Sequence, residues 1–179
     1  MTKYNNCTSF LFNSNSGLCT PGAYINEKQP LPSSEEGDFF QSFYCDTSKG
    51  FSVKAYLNTT ACLVVLAKKT YAAADNDCQS RGAYLMSVKT VEQLNFFVNL
   101  TGSRSAWIGC DDINQEGKFV WKDNGQMMTN SERVNLFAVG EPNDVGGDED
   151  CVIFYTGNRG ILDTQCTGRH VYVCEMPYR

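Results

Sequence analysis

Nine cysteines in a chain of 179 residues restrict the fold more than any other feature. No two of them stand in a C-x-x-C spacing, which speaks against structural zinc and against a redox couple. Cysteines at this density belong in an oxidising compartment, where they pair and close loops. Three N-glycosylation sequons, at Asn6, Asn58 and Asn99, agree with passage through a secretory pathway. The expectation is a secreted, extracellular glycoprotein stapled by disulfides, with one cysteine left over. Cys7 and Cys19 are expected to bridge within the N-terminal segment, although spacing alone does not fix that pairing. The opening residues Met1-Thr2-Lys3-Tyr4-Asn5-Asn6 are polar and read as a mature or trimmed start rather than a signal peptide. The longest apolar run, Ala61 to Ala67, is far too short to span a bilayer.

The second constraint is chemical. Residues 141–151 read Glu-Pro-Asn-Asp-Val-Gly-Gly-Asp-Glu-Asp-Cys and carry five carboxylates, Glu141, Asp144, Asp148, Glu149 and Asp150. No Lys or Arg occurs from Val134 to Asn158, so nothing local neutralises them. So dense a cluster repels itself, and a solvated loop gains nothing from it. Oxygen-only ligands on a Gly-broken loop suit a hard cation such as Ca²⁺, whereas Zn²⁺ calls for His or thiolate. The competing reading is an acidic surface loop. Pro142 and the bounding Cys151 argue against it, because fixing a loop makes sense when its oxygens must converge. The loop reads as a calcium site. With a net charge of −5, the chain is a poor partner for nucleic acid or anionic membranes.

Residues 1–44 are polar and turn-rich and form an N-terminal extension, followed by a main domain over 45–179. The hydrophobic fraction of 42% supports one real core. Phe51, Val53, Ala55 and Leu57 alternate, which reads as a strand, and Cys62 to Leu66 reads as a second, more buried one. Tyr71 to Ser80 reads as a helix closed by Arg81-Gly82. A second helix starts at Thr90, where Thr90-Val91-Glu92-Gln93 has capping-box spacing, with Val91, Leu94 and Phe97 or Val98 facing inward. Beyond Gly102 no helical period returns. Short strands are expected at Trp107 to Cys110, Phe119 to Trp121, Cys151 to Tyr155 and Val171 to Glu175. The connection from Lys122 to Asp150 is long for a compact domain, and such loops are usually functional.

These residues fall into a known pattern. Cys62, Tyr71-x-x-Ala74-x-x-x-Cys78, Arg81-Gly82-Ala83-Tyr84-Leu85, Trp107-Ile108-Gly109-Cys110, Gly140-Glu141-Pro142-Asn143, Glu149-Asp150-Cys151, Asp163-x-x-Cys166 and Cys174 together resemble a C-type lectin-like domain over Cys62 to Met176. The resemblance implies an α+β fold with two helices, two small antiparallel sheets and a long calcium-binding loop. It implies the bridges Cys78–Cys174 and Cys151–Cys166, with Cys45–Cys62 as the extra bridge of the long form. Cys110 then stands alone where the family has leucine. A buried thiol is the favoured reading there, and an intermolecular disulfide the alternative.

The resemblance also implies calcium as cofactor, with two ions. Glu141, Asn143, Glu149 and Asp163 would hold the ion that meets a sugar, and a cis peptide would precede Pro142. Glu141, Asn143 and Glu149 would contact two vicinal hydroxyls directly, since a carboxylate can only accept and an amide can donate. The Glu-Pro-Asn order resembles members that prefer mannose, fucose or N-acetylglucosamine. Asp112, Glu116, Asp144, Glu149 and Asp150 match a second, auxiliary site. One departure weighs against sugar: the family's Trp-Asn-Asp is Ile161-Leu162-Asp163 here, and Leu162 offers no oxygen and no donor.

Catalysis finds little support. The single histidine, His170, has no nucleophile spaced to partner it, and the adjacent pair Glu149-Asp150 is poorly placed to act as a glycosidase dyad. Two readings remain. One is a calcium-dependent carbohydrate-binding module whose partners are glycans. The other is a lectin-like module for protein contact or self-association, in which calcium only stabilises the loop.

Overall fold

The computed structural model describes residues 9–13, 18–21, 38–41, 45–56, 59–157 and 160–177. Asn6, Cys7 and Asn58 lie outside them, and with Cys7 the expected Cys7–Cys19 bridge. The chain divides into one unit within residues 1–44 and 178–179 and another spanning Cys45–Pro177. In the first unit, which the sequence marks only as turn-rich, three antiparallel strands pair in the order β2-β1-β3: β1 (Ser9–Asn13), β2 (Leu18–Pro21) and β3 (Asp38–Gln41).

The second unit is α+β. Its strands are β4 (Ser52–Tyr56), β5 (Thr59–Lys69), β6 (Tyr84–Leu85), β7 (Ala106–Asp111), β8 (Val120–Trp121), β9 (Cys151–Phe154), β10 (Ile161–Thr164) and β11 (His170–Glu175). They pair in the order β10-β9-β7-β11-β5-β4, with β6 on β11 and β8 on β7. The pairing is continuous through one eight-stranded sheet rather than split between two, and β7 runs parallel to β11. Gly109 makes one part of this possible: a Cβ there would stand 2.0 Å from the Leu85 carbonyl oxygen, so any side chain would push β6 away.

Helix α1 (Tyr71–Ser80) buries Tyr71, Ala74 and Cys78, a stripe with helical spacing. Helix α2 (Val91–Thr101) starts where expected, with the Thr90 side chain accepting from the Gln93 N–H. The Gln93 side chain reaches the Lys89 N–H, one residue before the position a capping box requires. Its buried stripe is Leu94, Phe97 and Thr101, and Val91 is 44% exposed, so the expected inward role of Val91 is corrected. A third helix, α3 (Asn130–Leu136), occupies the long connection where no helix is expected. It carries a full capping box between Thr129 and Glu132 but buries only Leu136, so the sequence shows its cap and almost no period. The strand read at 51–57 is β4, with Leu57 outside the described residues. Phe51 is buried, whereas Val53 and Ala55 are exposed on β4, the edge strand beside β5.

Cys45–Cys62, Cys78–Cys174 and Cys151–Cys166 are bridged. Cys78–Cys174 ties α1 to β11 across 96 residues, a closure worth about 4.7 kcal/mol in the chain-entropy account. Cys110 is a free, fully buried thiol on β7, and burial pushes its pKa well up, with Asp111 and Asp112 adding to the effect. No helix among the described residues is long and apolar enough to cross a membrane.

Glu175 ends β11 near the Lys89–Asp123 ion pair, whose atoms lie 2.6 Å apart. Burial, reinforced by Asp123 and opposed by Lys89, pushes the Glu175 carboxyl up to about 7. Because the folded-state value lies above the unfolded one, the protonated group favours folding, and that contribution is lost as pH rises from about 4.5 through about 7. Glu175→Gln is therefore expected to stabilise the domain by about 2 kcal/mol at pH 8 and by little at pH 4.5, as thermal melts at the two pH values will show.

Candidate functional site

The loop from Phe137 to Asp150 is held at both ends. At its start, Phe137 bridges Ile161, and the Ala138 N–H donates to the Ile161 carbonyl at 2.9 Å. Gly160 allows this approach, because a Cβ would stand 2.6 Å from both Ala138 N and Leu136 O. At its end, Cys151 enters β9 and is bridged to Cys166. Between these anchors the Glu141–Pro142 peptide is cis.

Asp163 organises the loop. It sits on β10, is 2% exposed, and accepts from the backbone N–H of Asn143 at 3.0 Å and of Asp144 at 2.8 Å. Asp144 has a φ of 43°, and consecutive N–H groups turned in this way form a nest for an anion. The Val145 N–H then donates to the Glu149 carboxylate at 2.8 Å, and the Glu149 N–H to Asp144 Oδ1 at 3.1 Å.

Glu141 lies against this frame. Its Oε2 is buried and has no hydrogen-bond partner. Burial, then the adjoining Asp163 carboxylate and the charge of Glu149, pushes its pKa up to about 7. Glu141 thus feels the charges of both Asp163 and Glu149, and no ion pair among the described residues reaches any of the three. Asn143 joins them through its backbone donation to Asp163, and its own Oδ1 accepts from the Val145 N–H.

A second cluster sits at the end of β7. Carboxylate oxygens of Asp112, Glu116 and Asp150 lie within 4.8 Å of one another. Asp112 is 1% exposed; its Oδ2 accepts from the Gly117 N–H at 2.8 Å and its Oδ1 is buried without a partner. Burial raises its pKa to about 6, against the Gly117 hydrogen bond and with help from Glu116 and Asp150. Asp144 and Glu149, the other residues expected here, direct their hydrogen bonds within the loop. Asp148 accepts from the Gln165 side chain at 2.7 Å. Both clusters combine oxygen-only donors with an unpartnered buried carboxylate oxygen, and that donor set fits a hard divalent cation.

Leu162 stands between two buried neighbours, Ile161 and Asp163, and is itself half-buried. His170 packs edge-on to Trp107 with ring centroids 4.8 Å apart, and burial, with Lys68 nearby, lowers its pKa. Asn99 is exposed on the last turn of α2.

Residues 67–176 match the sequence model of the lectin C-type domain. The chain belongs to the C-type lectin domain family. The CD209 antigen-like protein 2 of Macaca mulatta is 39% identical over 101 residues, covering 55% of this chain and 37% of that protein. C-type lectin domain family 4 member M of Hylobates lar is 37% identical over 103 residues, covering 56% of this chain and 24% of that protein. The C-type lectin domain described here thus corresponds to about a quarter to a third of these longer relatives. Among solved structures, the trimeric Kupffer cell C-type lectin receptor Clec4f matches with a TM-score of 0.59 at 27% identity, over 69% of this chain and 82% of that one. The cow CD23 carbohydrate-recognition domain, determined in the presence of a GlcNAc2Man3 oligosaccharide, matches with a TM-score of 0.57 at 28% identity, over 66% of this chain and 89% of that one. Herring type II antifreeze protein shares the fold at 24% identity and a TM-score of 0.59, over 71% and 97% of the two chains. A C-type lectin domain is a binding fold and not an enzyme.

Replacing Asp163 by Ala strands the Asn143 and Asp144 N–H donors. The expected outcome is faster hydrogen exchange at those two amides in metal-free protein, with a loss of about 1–3 kcal/mol in stability. Exchange measured by NMR checks it.

Proposed function

We propose that this C-type lectin domain is a secreted, calcium-dependent module that binds glycans of the mannose, fucose or N-acetylglucosamine type. The observation that carries this reading is the buried, unpartnered Glu141 Oε2, on a carboxyl that Asp163 and Glu149 push up in pKa and that no cationic side chain among the described residues neutralises. Three carboxylates in partial burial repel one another strongly, and a divalent cation among their oxygens removes that repulsion. Glu141, Asn143, Glu149 and Asp163 would hold the sugar-side ion. Asp112, Glu116 and Asp150, with Asp144 and Glu149 at their border, would hold the auxiliary one.

A bound Ca²⁺ supplies direct coordination to two adjacent sugar hydroxyls. The remaining work falls to the chain. The Glu141 and Glu149 carboxylates accept from those hydroxyls, and the Asn143 amide donates to one of them. The Glu-Pro-Asn order is the basis for assigning equatorial vicinal hydroxyls.

Leu162 favours a second reading, in which calcium orders the loop and the exposed face meets a protein. A half-buried aliphatic side chain stands where the family places an asparagine. A glycan array run in calcium and in EDTA separates the two. Calcium-dependent retention of mannose-type glycans supports the first, and an array silent under both conditions, with calcium still bound, supports the second.

Two outcomes are expected of the isolated chain. Chelation should lower the melting temperature, because an ion bound only by the folded state adds about 2.7 kcal/mol at a hundredfold excess over Kd. A melting curve indifferent to EDTA would remove the calcium reading. Leu162→Asn should bring a donor and an oxygen to the sugar side and tighten mannose binding about tenfold by titration, equivalent to about 1.4 kcal/mol. Weaker binding in that variant would show that Leu162 itself packs against the ligand.

A further inference from the structure

Asp111 closes β7, Asp112 follows it, and the two meet different partners. Asp112 meets Glu116, Asp150 and the Gly117 N–H. Asp111, 4% exposed, turns into a polar pocket beside α1. There its Oδ2 accepts from the Tyr71 hydroxyl at 3.0 Å and lies 2.6 Å from the Lys122 ammonium. Lys122 also reaches Asp75 on α1 at 3.5 Å and stands over the Tyr71 ring, 5.7 Å from its centroid. Its backbone N–H donates to the Gly109 carbonyl at 2.9 Å, which registers the lysine against β7. Burial alone would depress the ammonium pKa, but the hydrogen bonds and charges of Asp111 and Asp75 hold it above the ordinary lysine value.

A half-buried ion pair of this kind is a poor source of stability, because desolvating its charges offsets most of their attraction. What it supplies well is one orientation. Here it grips the residue immediately before Asp112, whose carboxylate keeps a buried, unpartnered Oδ1 and lies in one cluster with Glu116 and Asp150. On the far side, the Asp112 N–H donates to the Asp150 carbonyl at 3.0 Å. The end of β7 is therefore held from both faces. Neither the acidic loop nor the sequence spacing of its ligands points to Lys122.

We propose that Lys122 is a positioning residue for the Asp112–Glu116–Asp150 cluster: by clamping Asp111 to α1 and β8 it sets the direction of the Asp112 carboxylate. The inference rests on the calcium reading above, but part of its test requires no calcium. Groups that orient metal ligands from behind commonly change affinity about tenfold or more when removed.

The test compares the full chain with Lys122→Met and with the double variant Asp111→Asn/Lys122→Met, which leaves no unpaired charge at position 111. In metal-free protein, both variants should exchange the Asp112 and Gly117 amides faster than wild type. In calorimetric titration with CaCl₂, both should retain one site near wild-type affinity and lose about tenfold at the other. Should Lys122→Met fail to fold, the double variant decides. If the double variant shows wild-type exchange and two wild-type calcium sites, the pair is only structural and the proposal falls. A wild-type chain that takes up no calcium would instead defeat the calcium reading, and the exchange comparison alone would then judge the clamp.

Discussion

Asp163 is the point on which the calcium loop turns. A carboxylate fixed on β10 accepts two backbone N–H groups from a loop that has no regular structure of its own. That satisfies donors which would otherwise face other loop atoms, and it sets the path of the chain from Pro142 to Val145. The same charge then presses on Glu141. The interaction that shapes the loop is thus also the one that makes the pocket electrostatically incomplete. The disulfide at Cys151 and the backbone contact between Ala138 and Ile161 serve this arrangement by fixing the two loop ends relative to β10.

The fold was legible wherever a residue type had a single physical use. Ala72, Ala73 and Ala74 announce α1, and Gly102 past the last turn of α2 adopts the left-handed conformation that ends it. The three bridges implied by the resemblance are formed among the described residues. What was misread had a pattern without a matching environment. Val91 has the spacing of the inward stripe of α2, yet it opens the first turn and stands 44% exposed. Helix α3 has the opposite problem. Its capping box can be read from Thr129 and Glu132, but one buried leucine gives no period to detect.

At the site, the identities of the acidic residues could be read, but not how they are shared. Asp163 and Glu149 act on Glu141, and Asp112, Glu116 and Asp150 gather at the end of β7, while the side chains of Asp144 and Glu149 accept from N–H groups of the loop itself. That division depends on which N–H groups each carboxylate accepts, and residue type carries no such information. Leu162 is plain in the sequence as a departure. Its half-buried position explains how β10 tolerates an aliphatic residue there.

Cys110 gives the domain an internal clock. Its thiol is wholly buried on the central strand β7, beside the two aspartates that end the strand. Burial and those charges also keep it protonated. A thiol in that state reacts with neither oxidant nor alkylating reagent until the strand is uncovered and the thiolate can form. The rate at which Cys110 becomes reactive therefore reports how often the core opens, without any label having been introduced.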